Sequence, residues 1–195
     1  MKLRIKNYKL RDAGGQVMIE AIVAISMVTI GLLGIITLLI NSSRWNRNVS
    51  HELVATYLAA EGIEIVKNFI DTNIAGRLSG DNMATWNGGL DEDAFYEVQY
   101  DAAFGGDGRL PGTPGARQVS PGNVELLKYD IDTHTYGYGS GEESPFRRVL
   151  EIVEPVGSDD MLLVSSTVSF EGQDGVQNVH LESVFTHWRK LGSGL

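Results

Sequence analysis

The sequence predicts an α+β fold, in which a long N-terminal helix packs on a C-terminal antiparallel β-sheet head. Two observations carry this prediction. Helical patterns fill the first third of the chain and strand patterns follow later, whereas an α/β fold would alternate them. No Pro or turn cluster separates an uncharged apolar run at residues 21–43 from the amphipathic pattern after it. We therefore expect one continuous helix with a membrane half and an amphipathic half.

The apolar run predicts a transmembrane helix. Residues 21–43 contain no charged side chain, and this length is sufficient to cross a hydrocarbon core of roughly 30 Å. The preceding segment is basic, with one acid, Asp12, against Lys2, Arg4, Lys6, Lys9 and Arg11. A basic flank keeps the N-terminus in the cytoplasm. The expected topology is a single pass with the C-terminal part across the membrane.

Small residues precede the apolar run, whereas a secretory signal peptide has its cleavage site after that run. Gly14 and Gly15 end the basic segment, and Glu20 stands at the fifth position counted from Gln16. This order resembles the type IV prepilins, a family in which a short basic leader is cut directly after Gly. The resemblance implies cleavage between Gly15 and Gln16, N-methylation at Gln16 and a subunit-assembly role for Glu20. Gln16 departs from the family's usual Phe or Met, and the apolar run contains no Pro.

The same resemblance implies a domain division and a set of partners. Residues 1–15 would be a cleaved leader, 16–43 a transmembrane stem, and 44–195 an amphipathic helix that continues into a globular β head. The implied partners are the prepilin peptidase, other pilin subunits in a helical filament, an inner-membrane assembly platform, and the lipid bilayer before assembly. Residues 58–68 are also similar to the corresponding stretch of minor-pilin-like prepilins. The protein would move from the cytoplasmic membrane into an extracellular or periplasmic filament.

Two other functions remain open at this point. A pseudopilin of a type II secretion system would use the same stem in a short periplasmic fibre. A bitopic membrane receptor or sensor would keep its N-terminal segment uncut, and the small pair Gly14 and Gly15 before Glu20 argues against it. Gly31 and Gly34 within the stem favour close helix packing, and they also weaken the helix by about 1 kcal/mol each relative to Ala.

An amphipathic stripe follows the apolar run and predicts that this half of the helix buries one side against its own head. Apolar residues recur there at spacings of three and four. The stripe consists of Val49, Leu53, Tyr57, Ala60, Ile63, Val66 and Ile70, and it is widened by Val54, Leu58, Ile65 and Phe69. The helix is expected to end near Asp71, before Gly76.

Strand patterns fill the C-terminal third, after a Gly-, Asp- and Pro-rich region at 77–122 that predicts a long loop with one strand at 95–100. Short strands are expected at 125–129 and 133–138, and longer ones at 146–153, 161–170 and 176–188. The last two form a hairpin, because the sequence at 171–175 supplies turn glycines. Leu162, Val164, Ser166, Val168 and Phe170 are expected to share one face.

Composition and motifs predict neither an enzyme nor a cofactor or metal site. The net charge is −9, and the mature side chains sum to −13 because the leader contributes +4, which disfavours nucleic-acid binding. The chain contains no Cys, so no disulfide forms. The four histidines lack zinc-peptidase spacing; they are His51, His134, His180 and His187. Asp130 and Asp132 alternate as in a calcium loop, but the Gly and Glu of such a loop are missing.

Overall fold

The computed structural model describes residues 14–80, 85–90, 93–100, 116–157, 160–172 and 175–187. They form one helix, α1 (Gly14–Leu78), and eight strands. The strands are β1 (Ala94–Val98), β2 (Ala116–Val119), β3 (Lys128–Asp130), β4 (Thr135–Gly137), β5 (Glu142–Glu143), β6 (Phe146–Val153), β7 (Met161–Gly172) and β8 (Gly175–Thr186). The predicted α+β class is confirmed. The chain divides into two compact units, one up to Arg47 and one from Asn48 onward.

The first unit contains the apolar part of α1, and its side chains are exposed on every face. Three of its hydroxyl groups are satisfied within the helix, because Ser26, Thr29 and Thr37 donate to carbonyl oxygens four residues earlier at 2.7, 2.7 and 2.9 Å. Internal satisfaction of polar groups is what a lipid environment demands. Among the described residues, α1 is the one helix long and apolar enough to span a membrane. The segment is therefore compatible with a single membrane span.

The second unit is organised by a five-stranded antiparallel sheet in the order β2-β1-β6-β7-β8. Eight residue pairs join β6 to β7, and twelve join β7 to β8. A smaller sheet has the order β4-β3-β5. The long strands form because their apolar residues alternate with polar ones, so that one face of the sheet can be buried.

The core of this unit lies between the sheet and the second half of α1. Leu162, Val164, Ser166, Val168 and Phe170 share the buried face of β7, as predicted. On the helix the buried residues are Ala55, Leu58, Ala59, Gly62, Ile65, Val66, Phe69 and Ile70. The helix approaches the sheet most closely at Gly62, where an added Cβ would lie 2.7 Å from Ser166 Oγ and 2.9 Å from Leu150 Cδ2.

The predicted buried stripe was wrong in its first half. Val49, Leu53 and Tyr57 are 63%, 56% and 69% exposed. The face that packs on the sheet is instead the one that carries Ala55 and Ala59. Small side chains there let the helix backbone come close to the strands, which gives more contact for the neighbouring larger residues than Leu53 and Tyr57 would allow.

Helix α1 also ends later than predicted, at Leu78 rather than near Asp71. Tertiary contacts hold the extra turns, because Asn73 Nδ2 donates to the carbonyl oxygens of Gly88 at 2.9 Å and Trp86 at 3.4 Å. Ile74 packs against the core as well. Local stop signals were therefore overridden by packing.

The strand predictions were correct for the longest strands and weaker for the short ones. β6 has the predicted bounds, whereas β2 lies in a region expected to be loop and β5 was not predicted. The strand expected at 125–129 is reduced to β3, although Leu127 still exchanges backbone hydrogen bonds with Phe146 and Ser144 at 2.8 Å. The last strand ends at Thr186, before the predicted end at Trp188, which itself lies outside the described residues.

Candidate functional site

The predicted cleavage and assembly residues lie together in the first two turns of α1. Gly15, Gln16 and Glu20 are all exposed helical residues. Gln16 and Glu20 are four residues apart, which places them on the same face of the helix, one turn from each other. The first turn contains no acidic residue. A cut after Gly15 would leave a free amine at Gln16, one helical turn before the Glu20 carboxylate.

Glu20 has no charged neighbour among the described residues of the stem. It is the single charged residue between positions 14 and 43, and the next basic residue along the helix is Arg44. That separation of 24 residues corresponds to about 36 Å at 1.5 Å per residue. The part of the chain that the structure describes shows no ion pair for Glu20. An acid at the centre of a membrane helix costs about 3 kcal/mol, so this carboxylate needs headgroups, water or a partner from another molecule.

Among the described residues, no contact requires Gly at position 15. A Cβ placed on Gly15 would meet no atom within 4 Å, and the same holds for Gly31 and Gly34. Ala in place of Gly would also favour the helix by about 1 kcal/mol. A requirement for Gly at this position would have to come from a molecule that acts on the chain.

In the head, a partly buried ion pair joins α1 to the sheet. The side chain of Arg148 is fully buried, and its Nη1 donates to Glu61 Oε2 at 2.8 Å and to the carbonyl oxygen of Leu58 at 3.0 Å. Its Nη2 donates to the carbonyl oxygen of Val98 in β1. One guanidinium thus connects the helix with two neighbouring strands. Sequence reasoning missed this pair, because its members are 87 residues apart.

A second ion pair lies at the β2 edge of the large sheet. Glu97 is 1% exposed, and it accepts hydrogen bonds from Arg117 Nε at 3.0 Å and from the backbone N–H of Glu125. Arg117 Nη1 also lies 2.9 Å from Glu125 Oε1. The hydrogen bond to Glu97 raises the pKa of Arg117, which keeps the guanidinium charged. This arrangement fixes β2 beside β1.

Of the two alternating acids, Asp130 stabilises the turn between β3 and β4 with its carboxylate. Asp130 Oδ1 accepts the backbone N–H groups of Asp132 and Thr133 at 2.9 and 3.2 Å, and Oδ2 accepts the Ser140 hydroxyl at 2.8 Å. The Ser140 hydrogen bond, followed by the backbone ones, lowers the pKa of the Asp130 carboxyl. Both oxygens of Asp130 are thus engaged in holding the turn.

The four histidines are not brought together. His51 packs edge-on against Phe146, with ring centroids 5.7 Å apart, and His134 Nδ1 is 3.0 Å from Tyr129 Oη. His180 and His187 lie on or after β8, and each has its own neighbours, which are Thr167 and Glu182 for the former and Trp86 and Asp160 for the latter. Within the described ranges, no group of three metal-ligating side chains forms.

Comparison with known proteins gives no further assignment. No family model, curated protein or solved structure matches the chain. The geometry around Glu20 and the attached head therefore carry the functional argument.

Proposed function

We propose that this protein is a structural subunit of a type IV pilus-like filament, made as a membrane precursor and cut after Gly15. The observation that carries the proposal is the isolation of Glu20, the single charge in thirty residues, one helical turn from Gln16. A cut at Gly15 supplies the missing positive charge at that turn. The folded α+β head on the same helix gives such a subunit its surface.

The chemistry of assembly follows from the low dielectric of lipid and of packed helices. The new ammonium group at Gln16 of one subunit pairs with Glu20 of its neighbour, and the attraction is stronger there than in water. Because both charges would otherwise be unpaired in an apolar medium, the contact also selects the register in which stems slide together. The exposed apolar faces of the stem then exchange lipid contacts for contacts with other stems.

The test compares two substitutions at Glu20. Glu20→Ala and Glu20→Gln should leave synthesis, membrane insertion and leader cleavage intact, because the peptidase would act on Gly15 before any filament exists. Both should reduce the amount of protein in sheared filaments at least tenfold, since the amide keeps the shape but loses the charge. Immunoblots of membrane and sheared fractions measure this ratio.

The matched control is Glu52→Gln, the same change in the same helix at an exposed position in the head. It should assemble like the unaltered chain. Normal filament yield from both Glu20 variants would contradict the proposal, and Glu20 would then be an interfacial residue.

A further inference from the structure

Strand β8 forms one edge of the large sheet. Among the described residues it pairs with β7 alone, in an order that ends at β8. In an antiparallel ladder the backbone groups of alternate residues point to opposite sides of the strand. Half of the N–H and C=O groups of β8 therefore face outward, in a row that another strand can pair with.

Within the described ranges, this edge has no bulge, no Pro and no Lys, which are features that usually prevent such pairing. β8 is twelve residues long, and it pairs with β7 one-to-one. The other edge strand, β2, has four residues, and its Arg117 is held by Glu97. The long open edge is thus at β8.

The sequence of β8 is complementary to itself in one register. Two antiparallel copies related by a two-fold axis keep the same face of the sheet on the same side, so exposed residues oppose exposed residues. Two registers give the fullest overlap, because residues that oppose each other must lie on the same face of the sheet. One places His180 opposite itself and leaves Glu182 opposite Asn178. The other places Leu181 opposite itself and His180 opposite Glu182 twice, so that it alone of these two sets an imidazole opposite a carboxylate.

The two side chains that would pair in this register lie on the exposed face of the sheet. His180 and Glu182 are 52% and 55% exposed on the face of the sheet away from α1. His180 Nδ1 lies 2.9 Å from Thr167 Oγ1, and its Nε2 lies 3.7 Å from Glu182 Oε1. With the Thr167 hydroxyl donating to Nδ1, the Nε2–H group is available to a carboxylate across the edge.

We propose that β8 pairs with β8 of a second copy of this chain, antiparallel and centred on Leu181, so that the two sheets become continuous. The two copies point in opposite directions, whereas subunits within one polar filament all point the same way. If the chain forms the proposed filament, the contact therefore joins copies that belong to different filaments. It does not depend on the leader, on Glu20 or on the proposed function.

The absence of Cys in the chain makes the test direct, because a single introduced Cys can form a disulfide only with another copy. In the proposed register two Leu181→Cys copies place their Cβ atoms roughly 5 Å apart, close to the separation that a disulfide requires. Full-length Leu181→Cys in detergent micelles should give a disulfide dimer under mild oxidation. The matched control is Val176→Cys on the same strand, which lies opposite Thr186 and should give at least tenfold less dimer.

A second pair of variants tests the register without replacing Leu181. Val179→Cys lies opposite Ser183 of the partner, so a mixture of Val179→Cys and Ser183→Cys chains should cross-link at least tenfold more than either chain alone. Glu182→Lys added to Leu181→Cys should reduce its cross-linking severalfold, and His180→Glu combined with Glu182→Lys should restore it. The proposal would be overturned if Val176→Cys and Leu181→Cys cross-linked equally, or if the mixture of Val179→Cys and Ser183→Cys gave no excess of dimer. A different protein would then be the partner to seek for this edge.

Discussion

At the scale of single residues, Arg148 connects α1 to the sheet of the head. Its guanidinium is fully buried and binds Glu61 together with two backbone carbonyl groups. Arg148→Ala would leave a carboxylate without its partner and two carbonyl groups with fewer donors. Leaving a buried carbonyl group without its donor costs about 1–3 kcal/mol, and we expect a loss of several kcal/mol in the free energy of unfolding of the head.

Chemical denaturation of the full-length protein in detergent, followed by circular dichroism, measures this effect. The matched control is Arg147→Ala, because Arg147 is the adjacent residue on β6 and is exposed. The control should change the free energy of unfolding by less than about 0.5 kcal/mol. Equal effects of the two substitutions would show that the buried contacts of Arg148 do not stabilise the head.

Asp130 gives the head a specific dependence on acid. Its pKa in the folded protein lies below its ordinary value, chiefly because the Ser140 hydroxyl donates to it. A carboxyl with a lowered pKa contributes stability above its unfolded pKa, and that contribution disappears as the pH falls through the folded pKa. When the pH is lowered from neutral to about 3, the melting temperature of Asp130→Asn should therefore fall by less than that of the unaltered chain.

Thermal melting at the two pH values measures that difference. Asp132→Asn is the matched control, since Asp132 contributes its backbone N–H rather than its carboxylate to this turn. The control should keep the acid sensitivity of the unaltered chain. An Asp130→Asn protein with unchanged acid sensitivity would mean that the turn contributes nothing to stability.

At the scale of elements, the two sides of the second half of α1 differ in burial. Val66 is fully buried against the sheet, whereas Leu53 is 56% exposed. Val66→Asp should destabilise the head by several kcal/mol, because it buries a charge without a partner. Leu53→Asp should leave the fold intact and change the melting temperature of the head by only a few degrees.

Circular dichroism melting of the two full-length variants distinguishes these outcomes. The sequence pattern placed both residues on one buried stripe, so this pair also tests the corrected helix face. Unfolding by Leu53→Asp would contradict the exposed position that the structure gives it.

At the scale of the whole molecule, the sequence was sufficient for the fold class and the long strands, because these follow from local patterns. The bounds of β6 and the buried face of β7 are read directly from alternation. The buried face of the helix could not be read from the sequence pattern, because both sides of the helix carry apolar residues at helical spacing. Small residues such as Ala55 and Gly62 decide between them, because they set how closely the backbone can approach the sheet.

Long-range contacts explain the other differences. The ion pair between Arg148 and Glu61 joins distant parts of the chain, and no local pattern marks either residue. Strand β2 is stabilised by Arg117 and Glu97, although its surroundings in the sequence are typical of a loop. In the candidate site, spacing alone identified Glu20, and its role in subunit assembly stays a prediction.

The central claim is that the chain is a precursor cut after Gly15, and the intact mass of the protein purified from membranes tests it most directly. The account predicts a protein that begins at Gln16, lighter by residues 1–15, with or without one methyl group. Gly15→Leu should keep the full mass, because a large side chain would not fit a peptidase site shaped for Gly. Gly34→Leu, the same change within the stem, should still be cut. A full-length mass for the unaltered protein, in cells that carry a prepilin peptidase, would contradict the account.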